Sequence, residues 1–150
     1  MIYVLLTAGV FLLDYSIKYY MDKTYARKVR HPRLGGRIVL EKYYNHGAAF
    51  NFLDKKPHLM RGLHTAILVM AGVFYYFLFR FNGRRLEKTG MALLFGGGLS
   101  NLCDRYAKGY VVDYFHINIG PKWLRRIIFN ISDFCIFIGA LLAAAGLSEE

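Results

Sequence analysis

Cysteine, acid and most of the residue sets that carry enzyme chemistry are scarce in this chain. Cysteine occurs twice, as Cys103 and Cys135, each inside an apolar stretch. Two such residues build no disulfide framework and have no metal-ligand spacing, so they read as small packing residues. There is no Ser-His-Asp set, no Gly-rich phosphate loop, no His/Glu zinc spacing, no internal repeat and no low-complexity tract. His31, His46, His58, His64 and His116 are scattered and read as surface or packing residues. No metal and no cofactor is expected, and paired carboxylates, if they carry the chemistry, need no covalent intermediate. A cleavable leader is not read either: the first apolar run has no basic segment before it and no small-residue cleavage site after it. That run is expected to be a retained helix.

What the chain has is apolar sequence in blocks. Of its 150 residues 55% are hydrophobic and 20% charged, which is the balance of a membrane class and suits one domain, residues 1–150. Ile2 to Leu13 is apolar except for Thr7. Gly62 to Phe79 is apolar apart from His64 and Thr65, and Gly90 to Cys103 apart from Ser100 and Asn101. Ile127 to Leu147 is interrupted only by Asn130, Ser132 and Asp133. A span takes roughly 20 residues. The second and fourth stretches reach that unaided; the first and third do so only by absorbing Asp14 with Lys18, and Asp104 with Arg105. The fold class expected is a membrane α-helical protein of four transmembrane helices: Ile2 to about Met21, Arg61 to Phe79, Gly90 to Tyr106, and Arg126 to Gly146.

The segment Asp22 to Arg61 is too long for a plain connection and should have structure of its own. Ile38 to Tyr44 is rich in β-branched and aromatic residues and reads as a strand. Asn45-His46-Gly47 reads as a turn, and Ala48 to Leu53 as a returning strand. Tyr110 to Ile117 is strand-like again, and Gly120-Pro121 is a break.

Twenty Lys and Arg against ten Asp and Glu give a formal net charge of +10. The basic residues fall between the apolar runs, so anionic lipid head groups are the expected partner, and nucleic acid is not. Arg80, Arg84, Arg85 and Lys88 in the short loop favour a cytoplasmic position for it. The ten basic residues between Lys23 and Arg61 favour the same side for the opposite loop. Charge counting alone leaves orientation open.

Ionisable residues inside apolar helices cost about 2.5 to 3.5 kcal/mol on insertion scales and mark function by default. Asp14 and Lys18 share a helix face at i, i+4 and read first as a structural ion pair. Asn101, Asp104 and Arg105 share another face and read as a structural network. Asn130 and Asp133 are three apart, and Asn130 has an interhelical hydrogen bond as its plainer role. Asp113 and Asp133 have no evident local basic partner. Spacing leaves open whether they converge or are capped and paired separately. Convergence would give a pair that shares a proton, with the ionised member a general base and the protonated one a general acid.

Five polar blocks carry a resemblance: Asp14-Tyr15-Ser16-Ile17-Lys18, Asn45-His46-Gly47-Ala48-Ala49-Phe50, Gly97 to Arg105, Gly109-Tyr110-Val111-Val112-Asp113-Tyr114, and Phe129-Asn130-Ile131-Ser132-Asp133. In this order and in register with four helices, the chain resembles the lipoprotein signal peptidases (signal peptidase II). The resemblance implies that Asp113 and Asp133 are the catalytic aspartates. It implies that Asn101, Arg105 and Asn130 line the substrate cleft, and that Asp14, Lys18, Asn45 and Gly47 surround or support it. It further implies a small extracytoplasmic β-cradle, both termini in the cytoplasm and the cell membrane of a bacterium as location; a monomer is the expected state, though the sequence does not give it. The substrate implied is the signal peptide of a diacylglyceryl-modified prolipoprotein. Tyr15, His46 and Ser132 stand where the family usually has Gln, Thr and Ala, and Arg27 to Arg37 is unusually basic. These departures bear on substrate preference, and a specialised paralogue is one alternative. A non-catalytic polytopic membrane protein with structural or proton-carrying acids is another. An enzyme acting on lipid head groups is disfavoured, because no metal or nucleophile set is visible.

Overall fold

The computed structural model describes residues 1–47 and 53–148. In chain order they form α1 (Ile2–Thr24), β1 (Arg30–Arg33), β2 (Ile38–Asn45), α2 (Pro57–Leu78), α3 (Arg85–Ala107), β3 (Val111–Ile117) and α4 (Ile131–Ser148). Short 3-10 turns occupy Leu34–Gly36 and Leu124–Arg126.

Helix ends depart from the sequence expectation for local reasons. α1 runs on to Thr24. α2 begins at Pro57, where the missing N–H costs nothing, and ends at Leu78. α3 begins at Arg85, five residues before Gly90, so much of the expected basic loop is helix. α4 begins at Ile131, not near Arg126. The residues before it make the 3-10 turn, and Phe129 pairs with Phe115 beside the sheet.

The sheet is antiparallel in the order β1-β2-β3. Its middle strand is the expected one, with Tyr43 opposite Asp113 and Asn45 opposite Val111. Its outer neighbour is a correction: Arg30–Arg33 pairs with Ile38–Glu41. Of the expected returning strand Ala48 to Leu53, residues 48–52 lie outside the described residues, and Leu53 sits in a turn.

α3 is the hub against which α1, α2 and α4 all pack. Its closest neighbour is α4, at a contact made by glycine. A Cβ on Gly90 would lie 2.5 Å from the Gly139 carbonyl and the Ala143 amide. One on Gly139 would lie 2.5 Å from the Gly90 carbonyl. Backbones this close are the small-residue packing of helices in bilayers.

The distribution of polarity is inside out. Asp14, Lys18, Ser100, Asn101, Asp104, Arg105 and Ser132 are buried, while Leu12, Leu13, Val69, Met70, Val73 and Phe137 are exposed. A water-soluble domain would bury the second set and expose the first; a bilayer reverses the preference. α1 and α2 are long and apolar enough to cross a membrane, and Ile131–Leu147 is apolar but shorter.

Candidate active site

The site is assembled where the sheet meets the ends of α3 and α4. α4 opens with a reciprocal cap. Asn130 Oδ1 accepts the Asp133 N–H at 3.0 Å, and Asp133 Oδ2 accepts the Asn130 N–H at 3.0 Å. This is a capping box with Asn at the cap and Asp three residues on. It fixes the Asp133 side chain at the helix N-terminus.

The same asparagine reaches the other acid. Asn130 Nδ2 donates to Asp113 Oδ1 at 2.7 Å. Asn45, at the end of β2, donates from Nδ2 to Asp113 Oδ2 at 3.0 Å, while its Oδ1 accepts the Gly47 N–H at 3.1 Å. Asn101 Nδ2 donates to Asp133 Oδ1 at 3.1 Å. Asp113 and Asp133 therefore converge, held by three asparagines, and both line one cavity of about 920 Å³. Burial, and after it the neighbouring Asp133 charge, pushes the Asp113 carboxyl up to about 8, against the pull of Asn45 and Asn130.

Arg105 faces the same cavity. Its Nη2 donates to the Gly47 carbonyl at 2.5 Å, and its Nη1 lies 3.3 Å from His64 Nδ1. Its buried Nε has no hydrogen-bond partner among the described residues. Asp104, one residue earlier, turns away. It accepts the Val112 N–H at 3.0 Å and pairs with Lys108 at 2.9 Å, tying α3 to β3.

Asp14 and Lys18 lie beneath the site, fully buried, and neither lines the cavity. They form the expected ion pair at 2.7 Å. Asp14 also accepts from Ser100 (2.7 Å), Tyr114 (2.9 Å) and Ser132 (2.5 Å), so one carboxylate joins α1, α3, β3 and α4. Lys18 donates to Asn101 Oδ1 at 2.6 Å. That bond turns the Asn101 amide so that its NH₂ faces Asp133.

Sequence reasoning missed part of the wall. His64, read as surface or packing, lines the cavity beside Arg105. Met60, Leu63, His64 and Ile67 all line the cavity from one face of α2, but in the sequence such a stripe reads equally as a packing face. Trp123 and Arg126 also line the cavity, and Ile67 of α2 with Ile136, Phe137 and Ala140 of α4 give it an apolar wall. Among the described residues no group of His, Cys, Asp or Glu is arranged to hold a metal.

Two converging carboxyls bridged by an amide, Asp113 buried and Asp133 half-buried, in a cavity among apolar helices, define a membrane enzyme of the aspartic hydrolase class. Comparison with known proteins agrees. The family model for signal peptidase (SPase) II matches residues 6–148. A lipoprotein signal peptidase of Paraburkholderia phytofirmans is 37% identical over 89% of this chain and 76% of its own length. One from Lactiplantibacillus plantarum is 30% identical over 99% of this chain and 95% of its own. Two solved bacterial membrane enzymes share the fold. One has a TM-score of 0.84 at 25% identity, over 98% of this chain and 87% of that one; the other has 0.81 at 27%, over 97% and 91%. The chain belongs to the signal peptidase II family.

Proposed function

We propose that this chain is a single membrane peptidase domain, residues 1–150, that cuts the signal peptide from diacylglyceryl-modified prolipoproteins with Asp113 and Asp133 as its catalytic pair. The observation that carries this reading is Asn130, one side chain and backbone holding both carboxyls in the wall of the cavity. Asp133 sits at a helix N-terminus and takes two N–H bonds, which suits it to stay ionised. Asp113 then carries the shared proton at neutral pH.

The hydrolysis follows from that division. Asp133 takes a proton from water as the water oxygen bonds to the scissile carbonyl carbon. Asp113 hydrogen-bonds the carbonyl oxygen as negative charge develops there. When the C–N bond breaks, Asp113 gives its proton to the departing amine. The proton gained by Asp133 restores the pair. Arg105, anchored through both Nη groups, lines the cavity and sets a positive charge beside the pair. The apolar wall of Ile67, Ile136, Phe137 and Ala140 offers the acyl chains a bed. Seating the chains there positions the bond to be cut.

The same reading has all four helices crossing a bacterial cell membrane, both termini in the cytoplasm, the sheet and site at the outer face, and a monomer as the working unit. α3 fits although it is the least apolar, because its polar face is turned to α1, α4 and the site.

The test is cleavage of a diacylglyceryl-cysteine peptide in bilayers. Asp113→Asn and Asp133→Asn should each lower kcat by at least about 10²-fold with the helical circular dichroism unchanged. Normal turnover by either folded variant overturns the assignment.

A further inference from the structure

The unusually basic loop finds no use in the mechanism just described. The structure folds its last part, Arg33 to Arg37, into a rim. The register of β1 on β2 and β2 on β3 brings Arg33, Ile38 and Ile117 to the same end of the sheet. There the turn Leu34–Gly36 is tied to the loop after β3: the Asn118 N–H donates to the Arg37 carbonyl at 2.7 Å, and Asn118 Nδ2 to the Gly36 carbonyl at 3.0 Å. His116 Nδ1 lies 3.1 Å from the Arg125 carbonyl, which draws the Leu124–Arg126 turn to the same edge.

Two kinds of exposed side chain share this rim. Arg33, Arg37, Lys122, Arg125 and Arg126 are cationic and exposed. Leu34, Ile119 and Trp123 are apolar, with Leu34 73% and Trp123 58% exposed. The two segments that build the rim carry no exposed acid to balance them. Between Lys23 and Gly47 the one acid is Glu41, which is buried and paired with Arg30 at 2.8 Å. Between Val111 and Asn130 the one acid is Asp113, buried in the site. Cations around exposed apolar tips are the composition of a membrane-interface anchor.

We infer that this rim is a docking surface for anionic phospholipid head groups of the outer leaflet, with Leu34, Ile119 and Trp123 dipping among the lipids and Arg33, Arg37, Lys122 and Arg125 pairing with their phosphates. The inference rests on the membrane placement proposed above but not on catalysis. Its role is to hold the cradle against the bilayer beside the cavity, which Trp123 and Arg126 also line.

Trp123 is the sole tryptophan and so reports on the rim directly. The full chain would be reconstituted with lipids brominated on the acyl chains, either phosphatidylglycerol or phosphatidylcholine, at equal mole fraction. Trp123 fluorescence should be quenched at least about twofold more by the brominated anionic lipid, and raised salt should reduce the difference. Arg33→Gln/Arg37→Gln/Lys122→Gln should abolish the difference, while Asp113→Asn, catalytically silent, should keep it. Equal quenching by the two lipids, or a triple variant that still prefers the anionic one, would overturn the inference. Unchanged quenching in the triple variant, together with a raised KM for a lipopeptide in purely zwitterionic bilayers, would assign the rim to the substrate polypeptide and overturn it too. Loss of cleavage in wild type with the quenching preference intact would count against the proposed activity and leave the rim standing.

Discussion

Asp113 is held in a conflict that the chain maintains at some cost. Burial and the charge on Asp133 favour its protonated form, while two asparagine amides favour the anion. A carboxyl whose folded value lies near 8 binds its proton more tightly folded than unfolded. Its contribution therefore lowers stability as pH rises from about 4 through about 8. Asp113→Asn should remove that slope, and thermal melts should show a larger gain in Tm at about pH 9 than at about pH 5. Cleavage by the wild type should fall as pH passes about 8, when the pair loses its shared proton. Lys18 makes the opposite case, a charge buried for structure. Lys18→Met leaves Asp14 without its cation and should cost about 3–5 kcal/mol in unfolding experiments. The two acids stood out in the residues, because an ionisable side chain in or beside an apolar run has few uses; the Asn130-to-Asp133 cap did not, since the helix was expected to begin near Arg126. His64 was not, since a single imidazole in such a run looks the same whether it packs or faces a cavity. Nor did the spacing separate Arg105 from Asp104. Adjacent residues on a helix diverge by about 100°, and only the packing decides which one meets the cavity.

At the level of elements, hydrophobic pattern located the helices and tertiary contact decided their ends. α3 extends back to Arg85, and Glu87 and Lys88 in its first turn are buried against neighbouring chain. Lys88 Nζ donates to the Phe81 and Gly83 carbonyls at 2.6 and 3.0 Å. No apolar run announced that turn. β1 was equally hidden: Arg30-His31-Pro32-Arg33 has no apolar alternation, and it is a strand only because β2 offers it a free edge. β2 and β3 showed through their β-branched and aromatic content. The α3–α4 contact supplies a prediction at this scale. Gly139→Val would drive a side chain into the Gly90 carbonyl and the Leu94 amide, both part of a backbone that cannot rotate away. Overpacking of this kind should cost upwards of about 2 kcal/mol in a denaturation assay. Cleavage should fall as well, because α4 carries Asp133. Gly62→Val, with open space around its Cβ, should do neither.

For the whole molecule, the governing feature is polarity turned inward. Charged and amide side chains gather around Asp14 and around the Asp113–Asp133 pair, and the apolar faces of α1, α2 and α4 are left outside. That organisation was legible in the blocks of the sequence, whereas orientation was not, since basic residues crowd both ends of the bundle. The proposed placement makes a direct prediction. In a variant lacking Cys103 and Cys135, a cysteine at Lys122 should react in intact cells with a membrane-impermeant thiol reagent, and one at Arg80 should react only after lysis. The central claim is that two acids share one proton in a cavity open to lipid-borne substrate. Infrared titration of the carboxyl groups in bilayers tests it most directly. The account predicts a buried protonated carboxyl band at neutral pH that disappears as pH passes about 8 and is missing from Asp113→Asn. A spectrum without that band at neutral pH, or one in which it survives the substitution, would contradict it.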